Sequence, residues 1–143
     1  MLAEGEKLLT DDTRGRVSFM PHSFFNSQPV KQAGAFLLRY GTHNWCDRDV
    51  VAIFKAMVPG LEASAPDAPL LVNDIIIPEP GALPRYLERE VRRMDMTMLV
   101  GCGSKERTRA EFEALLKEAD PRYEIRSVKM EEYRGILEVY LQR

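Results

Sequence analysis

Two short, almost uninterrupted apolar runs limit what this chain can become. Ala33-Gly-Ala-Phe-Leu-Leu-Arg-Tyr40 and Pro69-Leu-Leu-Val-Asn-Asp-Ile-Ile-Ile77 have the length of strands and the near-continuous apolarity of strands buried on both faces. Between them Val50, Ile53, Phe54, Met57 and Val58 repeat at i, i+3, i+4, i+7 and i+8, the spacing of one helical face. Asp47 precedes that stretch as its cap, and Pro59-Gly60 follows as its close. Strand, helix and strand in this order form a crossover unit with parallel strands.

The remaining pattern extends the same architecture. Leu83, Leu87, Val91, Met94 and Met98 mark one face of a long helix running to about Leu99 after a turn at Pro78-Glu-Pro-Gly81. Gly101-Cys-Gly-Ser104 reads as a loop. Thr108-Arg-Ala-Glu111 is a capping box that starts a helix with Phe112, Leu115 and Leu116 turned inward. Tyr123–Val128 and Gly135–Leu141 read as two strands joined near Glu131-Glu132. Ahead of the crossover, Leu2–Leu9 is a short helix ended by the polar run Thr10–Gly15. Arg16-Val-Ser-Phe-Met20 alternates like a strand that stops at Pro21, and His22–Pro29 is loop. The expectation is an α/β fold, a partial Rossmann-like sheet, mostly parallel, with a C-terminal antiparallel hairpin.

Length and charge narrow the function classes. With 143 residues there is room for one domain, residues 1–143. Twenty basic residues against 22 acidic ones leave a net charge of -2, which offers no basic field to a phosphate backbone, so no nucleic-acid partner is expected. No apolar stretch approaches the roughly 18–20 residues that cross a bilayer, and no membrane partner is expected. The acidic, amphipathic start lacks the basic and apolar regions of a secretory signal. Two cysteines, Cys46 and Cys102, make no disulfide framework and suit a reducing, cytoplasmic setting.

In open α/β sheets, ligands bind beyond the carboxyl ends of the strands. Three candidates fall there: His43 after the strand ending at Tyr40, Asp74 after Leu70–Asn73, and Glu106 before the capped helix. A neutral imidazole can take a proton from a phenol or enol, and a carboxylate on its other nitrogen fixes the tautomer and steadies the imidazolium. A loop histidine near a helix start can also be a mere cap. His43 and Cys46 lack two further ligands at useful spacing, so no metal is expected. Cys102 reads as a spectator thiol. Gly101-x-Gly103 follows a helix and lacks a third glycine, so it is no dinucleotide fingerprint. Met94, Met96 and Met98 either line an adaptable aromatic pocket or fill core. Arg89-Glu-Val-Arg-Arg93 reads as a solvated helix face.

A longer constellation has the residues of a known family. Arg16-Val-Ser-Phe-Met20 with Phe24-Phe25 and Gln28-Pro29-Val30, Leu37-Leu-Arg-Tyr40 leading into His43-Asn-Trp45 and Asp47, Asn73-Asp74 with Pro78-Glu-Pro-Gly81, Met94-Asp-Met96, and Lys105-Glu-Arg-Thr108 with Phe112 resemble, in order, the carboxyl-terminal half of fungal S-adenosylmethionine-dependent O-methyltransferases. These are similar to plant caffeic-acid and flavonoid O-methyltransferases and act on phenolic, polyketide-like acceptors. The resemblance implies that His43 is the general base and that Asp74 and Glu106 are the carboxylates flanking it. It implies that Trp45, near the cofactor's adenine, belongs with Met94 and Met98 of the long helix to the pocket wall. It places Arg39, Ser23 and Phe24 at vestigial cofactor positions, with Ser23 where the family usually has an aspartate.

The family's helical dimerisation domain, its Gly-rich turn and the acidic strand end that holds the ribose have no counterpart in this sequence. No cofactor is therefore expected for the chain alone, and S-adenosylmethionine only if the missing half is supplied. The two missing strands would lie between Arg16–Met20 and Gly34–Tyr40, so either the first strand moves over to pair directly or another chain covers the open edge. A homodimer, tighter oligomer or partner chain is expected, along with a small aromatic or polyketide-like ligand. Three functions compete: cofactor-free acid/base chemistry such as cyclisation or isomerisation, a fragment or split subunit of a methyltransferase, and a non-catalytic binder of a metabolite or partner enzyme.

Overall fold

The computed structural model describes residues 2–143. Helices α1 (Leu2–Lys7) and α2 (Asp11–Arg14) precede strand β1 (Phe36–Arg39). A 3-10 turn (Thr42–Asn44) leads into α3 (Asp47–Glu62), β2 (Leu70–Ile77) and α4 (Arg85–Cys102). The chain ends in β3 (Arg107–Thr108), α5 (Arg109–Ala119), β4 (Tyr123–Glu131) and β5 (Arg134–Leu141). The sheet order is β1-β2-β5-β4, with β3 joined to β2. β1 and β3 pair parallel to β2, whereas β5 pairs antiparallel to both β2 and β4. Only β5 runs against the rest, as the expected mostly parallel sheet with a terminal hairpin requires.

One face of the sheet carries the core. Phe54 and Met57 of α3 and Phe112 and Leu116 of α5 pack on Leu70, Val72, Leu137 and Val139. The Tyr123 hydroxyl closes this layer by donating to the Phe54 carbonyl at 2.8 Å, and burial raises its pKa. The other face is covered where Val91 of α4 packs on Ile75 and Ile77 of β2 but is open over β1, and this corrects the expectation that β1 is buried on both sides. Phe36 points inward while Leu37 is 60% exposed, because no helix among the described residues lies over it.

Five local expectations also change. Residues 16–20 form no strand: the Arg16 and Val17 amides donate to the Thr13 carbonyl at the end of α2, and no described strand lies alongside to pair with them. The outer edge of β1 is accordingly unpaired among the described residues. Thr10–Gly15 contains the helical turn α2 rather than ending structure. The loop expected at Gly101–Ser104 begins only at Gly103, whose φ of +63° ends α4 in the left-handed region. The helix expected to close at Pro59-Gly60 continues to Glu62, with Cys46 rather than Asp47 as its N-cap.

Gly60 is there for space. A Cβ at this position would meet the Gln28 side chain at 2.6 Å and the Phe36 ring at 3.1 Å, and Gln28 is pinned to α3 by its amide on the Ala56 carbonyl. Gly60→Ala is expected to cost about 1–3 kcal/mol through overpacking, although alanine is the better helix former. Chemical denaturation checks this, and an unchanged midpoint would mean that Gln28 moves aside freely.

Helix α4 departs from its expected burial. Of the stripe Leu83, Leu87, Val91, Met94 and Met98, only Val91 is buried, and Met94 is 41% exposed. No helix among the described residues is long and apolar enough to cross a membrane.

Candidate active site

β2 continues past the point where β1 leaves it. Arg39 pairs with Asn73 as the last residue of β1, and β3 joins β2 only at Ile76. Asp74 lies in the gap between them. Tyr40 turns the chain there with a φ of +47°, a left-handed conformation that a residue with a bulky side chain seldom adopts. Its amide still donates to the Asn73 carbonyl at 2.9 Å. The kink sends Thr42–Asn44 across the strand end as a tight turn, so His43 stands directly above Asp74.

Asp74 fastens the turn that carries the histidine. Its Oδ2 accepts from the Thr42 amide at 3.2 Å and from the Thr42 hydroxyl, and its Oδ1 accepts from the Ile75 amide at 3.1 Å. The His43 Nδ1 lies 3.3 Å from Asp74 Oδ1 and 3.2 Å from Glu106 Oε1. The Tyr40 ring stacks on the imidazole with centroids 6.0 Å apart. His43 retains 16% of its side-chain exposure, so the imidazole is reachable while both acids are buried. Two acceptors at Nδ1 favour a proton on that nitrogen and leave Nε2 with a free lone pair.

Glu106 approaches from the loop after α4. The Ser104 hydroxyl donates to the His43 carbonyl, and the Glu106 amide donates to Asp95 Oδ1 of α4 at 2.9 Å. The Glu106 side chain is fully buried, and its Oε2 has no hydrogen-bond partner. Burial first, and then the charges of Asp74 and Asp95, push its pKa from 4.5 to about 8 against the opposing pull of Arg107. A carboxyl in this position holds its proton at neutral pH.

The three donor atoms of His43, Asp74 and Glu106 lie within 4.8 Å of one another, a spacing that a cation could bridge. Both Asp74 oxygens already accept hydrogen bonds, and a cation at Nδ1 would have to displace the ring proton shared with the acids. The arrangement suits a proton better than a metal.

The remaining expected residues scatter. Trp45 packs edge-on against Phe25 at 4.8 Å and Phe24 at 5.7 Å, so its ring pins that segment. Phe24 borders a cavity of about 20 Å³ with Leu38, Gly41, Thr42 and Ile53. Arg39 lies over the Tyr40 ring at 5.3 Å and borders a separate cleft of about 330 Å³ with Lys129 and Arg134. Ser23 is exposed. Ser23, Phe24 and Arg39 therefore do not line one cavity. Met98 is half-buried, and its carbonyl accepts the Ser104 amide at 3.3 Å.

Sequence reasoning missed Thr42, Asp95, Ser104 and Arg107, the residues that hold His43, Asp74 and Glu106 in place. Asp95 and Arg107 lie inside the motifs quoted above, which was the available signal.

Comparison with known proteins places these features in context. A family model described as an O-methyltransferase domain matches residues 2–121. O-methyltransferase sol2 of Alternaria solani is 58% identical over 141 residues, which are 99% of this chain and 33% of that protein. The chain thus spans about a third of the length of this curated relative. Among solved structures, the O-methyltransferase NcsB1 from neocarzinostatin biosynthesis, in complex with S-adenosyl-L-homocysteine and 1,4-dihydroxy-2-naphthoic acid, superposes with a TM-score of 0.75 at 27% identity. That match covers 97% of this chain and 38% of the other. A structure described as a pericyclic reaction enzyme matches with a TM-score of 0.72 at 25% identity, over 87% of this chain and 30% of its own.

Proposed function

The chain belongs to the O-methyltransferase domain family, and from that membership we propose that it is a small-molecule enzyme of secondary metabolism that activates a hydroxyl on a phenolic or polyketide-like substrate with His43 as base. The observation that carries this reading is the imidazole held by two buried acids at Nδ1 with Nε2 left free. Nε2 takes the proton of a phenol or enol, the Asp74 carboxylate 3.3 Å from Nδ1 steadies the imidazolium, and neutral Glu106 accepts a hydrogen bond from the same ring proton without adding a second buried charge. Returning that proton to a carbon or another oxygen of the substrate completes an isomerisation or cyclisation in which atoms and charge balance without a methyl donor. The likeness to a pericyclic reaction enzyme supports a reaction other than methyl transfer, and the scatter of Ser23, Phe24 and Arg39 supports its donor-free form.

The second reading is a fragment or split subunit of a methyltransferase, supported by 58% identity to one such enzyme over a third of its length. A homodimer or partner chain over the unpaired edge of β1 belongs to both readings. Incubating the chain alone with phenolic polyketides should convert one to a product of unchanged mass, detected by liquid chromatography and mass spectrometry. Calorimetry separates the readings: tight binding of S-adenosylmethionine by the isolated chain would favour methyl transfer.

A further inference from the structure

Arg107 is the bulkiest of the fully buried side chains, at 1% exposure. A guanidinium is tolerated there only if its donors are used. Nε and Nη2 meet Asp47 Oδ1 at 2.9 and 2.7 Å. Nη2 also donates to the Trp45 carbonyl at 2.8 Å. Nη1 donates to the Thr42 carbonyl at 3.0 Å and the Lys105 carbonyl at 3.2 Å. Thr42 and Trp45 bracket His43-Asn44, and Lys105 immediately precedes Glu106. One planar group therefore grips the backbone on both sides of the histidine and beside the acid it must meet.

We propose that Arg107 is a positioning residue, whose guanidinium locks the His43 turn to the Glu106 loop and so holds the imidazole with its proton on Nδ1 and Nε2 free. This deepens the reading of His43 as base and rests on it. Arg107 makes none of the contacts to the imidazole itself; it acts through three carbonyls and one carboxylate. A lysine head is compact and lacks the rigid fork, so it cannot hold all of these acceptors together. Asp47 supplies the counter-charge: partial burial pushes its pKa up, but Arg107 and then Lys105 hold it below the ordinary carboxylate range. Lys105 in turn is shared with Glu111 at 2.7 Å. The groups facing the imidazole are Asp74 from β2, Glu106 from the loop and Tyr40 from the end of β1. Asp95 of α4 faces Glu106 from the far side.

The sequence makes the test simple, because His22 and His43 are its only histidines and His22 is exposed. Nitrogen-15 NMR reads the tautomer of each ring, with His22 as an internal control. The unaltered chain should show His43 protonated at Nδ1, with that proton slow to exchange. In Arg107→Lys, exchange should accelerate roughly tenfold or more, because a turn no longer clamped to the Glu106 loop opens more often and exposes the proton. The tautomer should also shift toward Nε2–H, with His22 unchanged. Asp47→Asn, which keeps the guanidinium and its three carbonyls, should show a smaller change in the same direction. A folded Arg107→Lys chain with unaltered His43 signals overturns the proposal. If that variant does not fold, unaltered signals in Asp47→Asn overturn it instead. Neither result touches the role of His43 as base, which activity measurements on His43 variants decide separately.

Discussion

Replacing His43 with alanine is expected to reduce turnover of the proposed phenolic or polyketide-like substrate by about 10²–10⁴-fold, the range a positioned general base contributes. The loss should fall on kcat, because the imidazole removes the hydroxyl proton of the bound substrate before the reacting step. His43 is partly exposed and outside the apolar core, but His43→Ala leaves the buried Glu106 carboxyl without its hydrogen-bond partner, so the variant should fold with a loss of about 1–3 kcal/mol. His43→Gln should be as inactive as alanine, since an amide fills the space but cannot take the proton. Steady-state kinetics beside a thermal melt separate the two effects. Turnover within about twofold of the unaltered chain would remove His43 from the chemistry.

The second large effect belongs to Glu106 and appears in stability. In the folded chain its carboxyl is raised to about 8 from the ordinary 4.5. Between those values the folded state holds a proton that the unfolded state has released, so stability falls as pH rises through that window. Below about pH 4.5 both states are protonated, and above about pH 8 both are ionised, so this contribution flattens at either end. The cost above pH 8 is on the order of a few kcal/mol. Glu106→Gln cannot ionise and should lose the slope. Urea denaturation should find the variant more stable than the unaltered chain at pH 9 by a few kcal/mol and within about 1 kcal/mol at pH 5. Asp47, Glu111 and Asp120 lie below their ordinary values, so their stabilisation is present above the unfolded carboxylate pKa and falls away only as acid reaches that range, outside this window. Parallel pH profiles for the two chains would show that Glu106 is not held neutral by its surroundings.

Local signals in the sequence carried far. The capping box at Thr108–Glu111 forms as written, with Thr108 Oγ1 accepting from the Glu111 amide at 3.2 Å, because both partners lie within one turn. The helical stripe from Val50 to Met57 and the terminal hairpin are likewise set by short-range periodicity. Pro59-Gly60 misled because the usual stop signal there answers a distant demand, the close approach of Gln28 and Phe36. Arg16–Met20 misled for the opposite reason: alternation alone makes no strand without a neighbour to pair with.

The meeting of His43, Asp74 and Glu106 was legible from where strands end, and the three do come together. What holds it was not. Arg107 finds Asp47 60 residues away, and no spacing rule announces a guanidinium that gathers carbonyls from Thr42, Trp45 and Lys105. The donor positions Ser23, Phe24 and Arg39 were assigned by resemblance alone, and the fold sends Phe24 and Arg39 to different cavities.

Whether His43 takes the proton of a bound hydroxyl can be read without any turnover. 1,4-dihydroxy-2-naphthoic acid, the ligand of the related NcsB1 structure, changes its ultraviolet absorption when its phenol ionises. Bound to this chain near neutral pH with no methyl donor present, it should show the phenolate band, and His43→Gln should bind it with the band of the neutral phenol. An unshifted spectrum on the unaltered chain, or a phenolate band that survives in His43→Gln, would contradict the assignment of His43 as base.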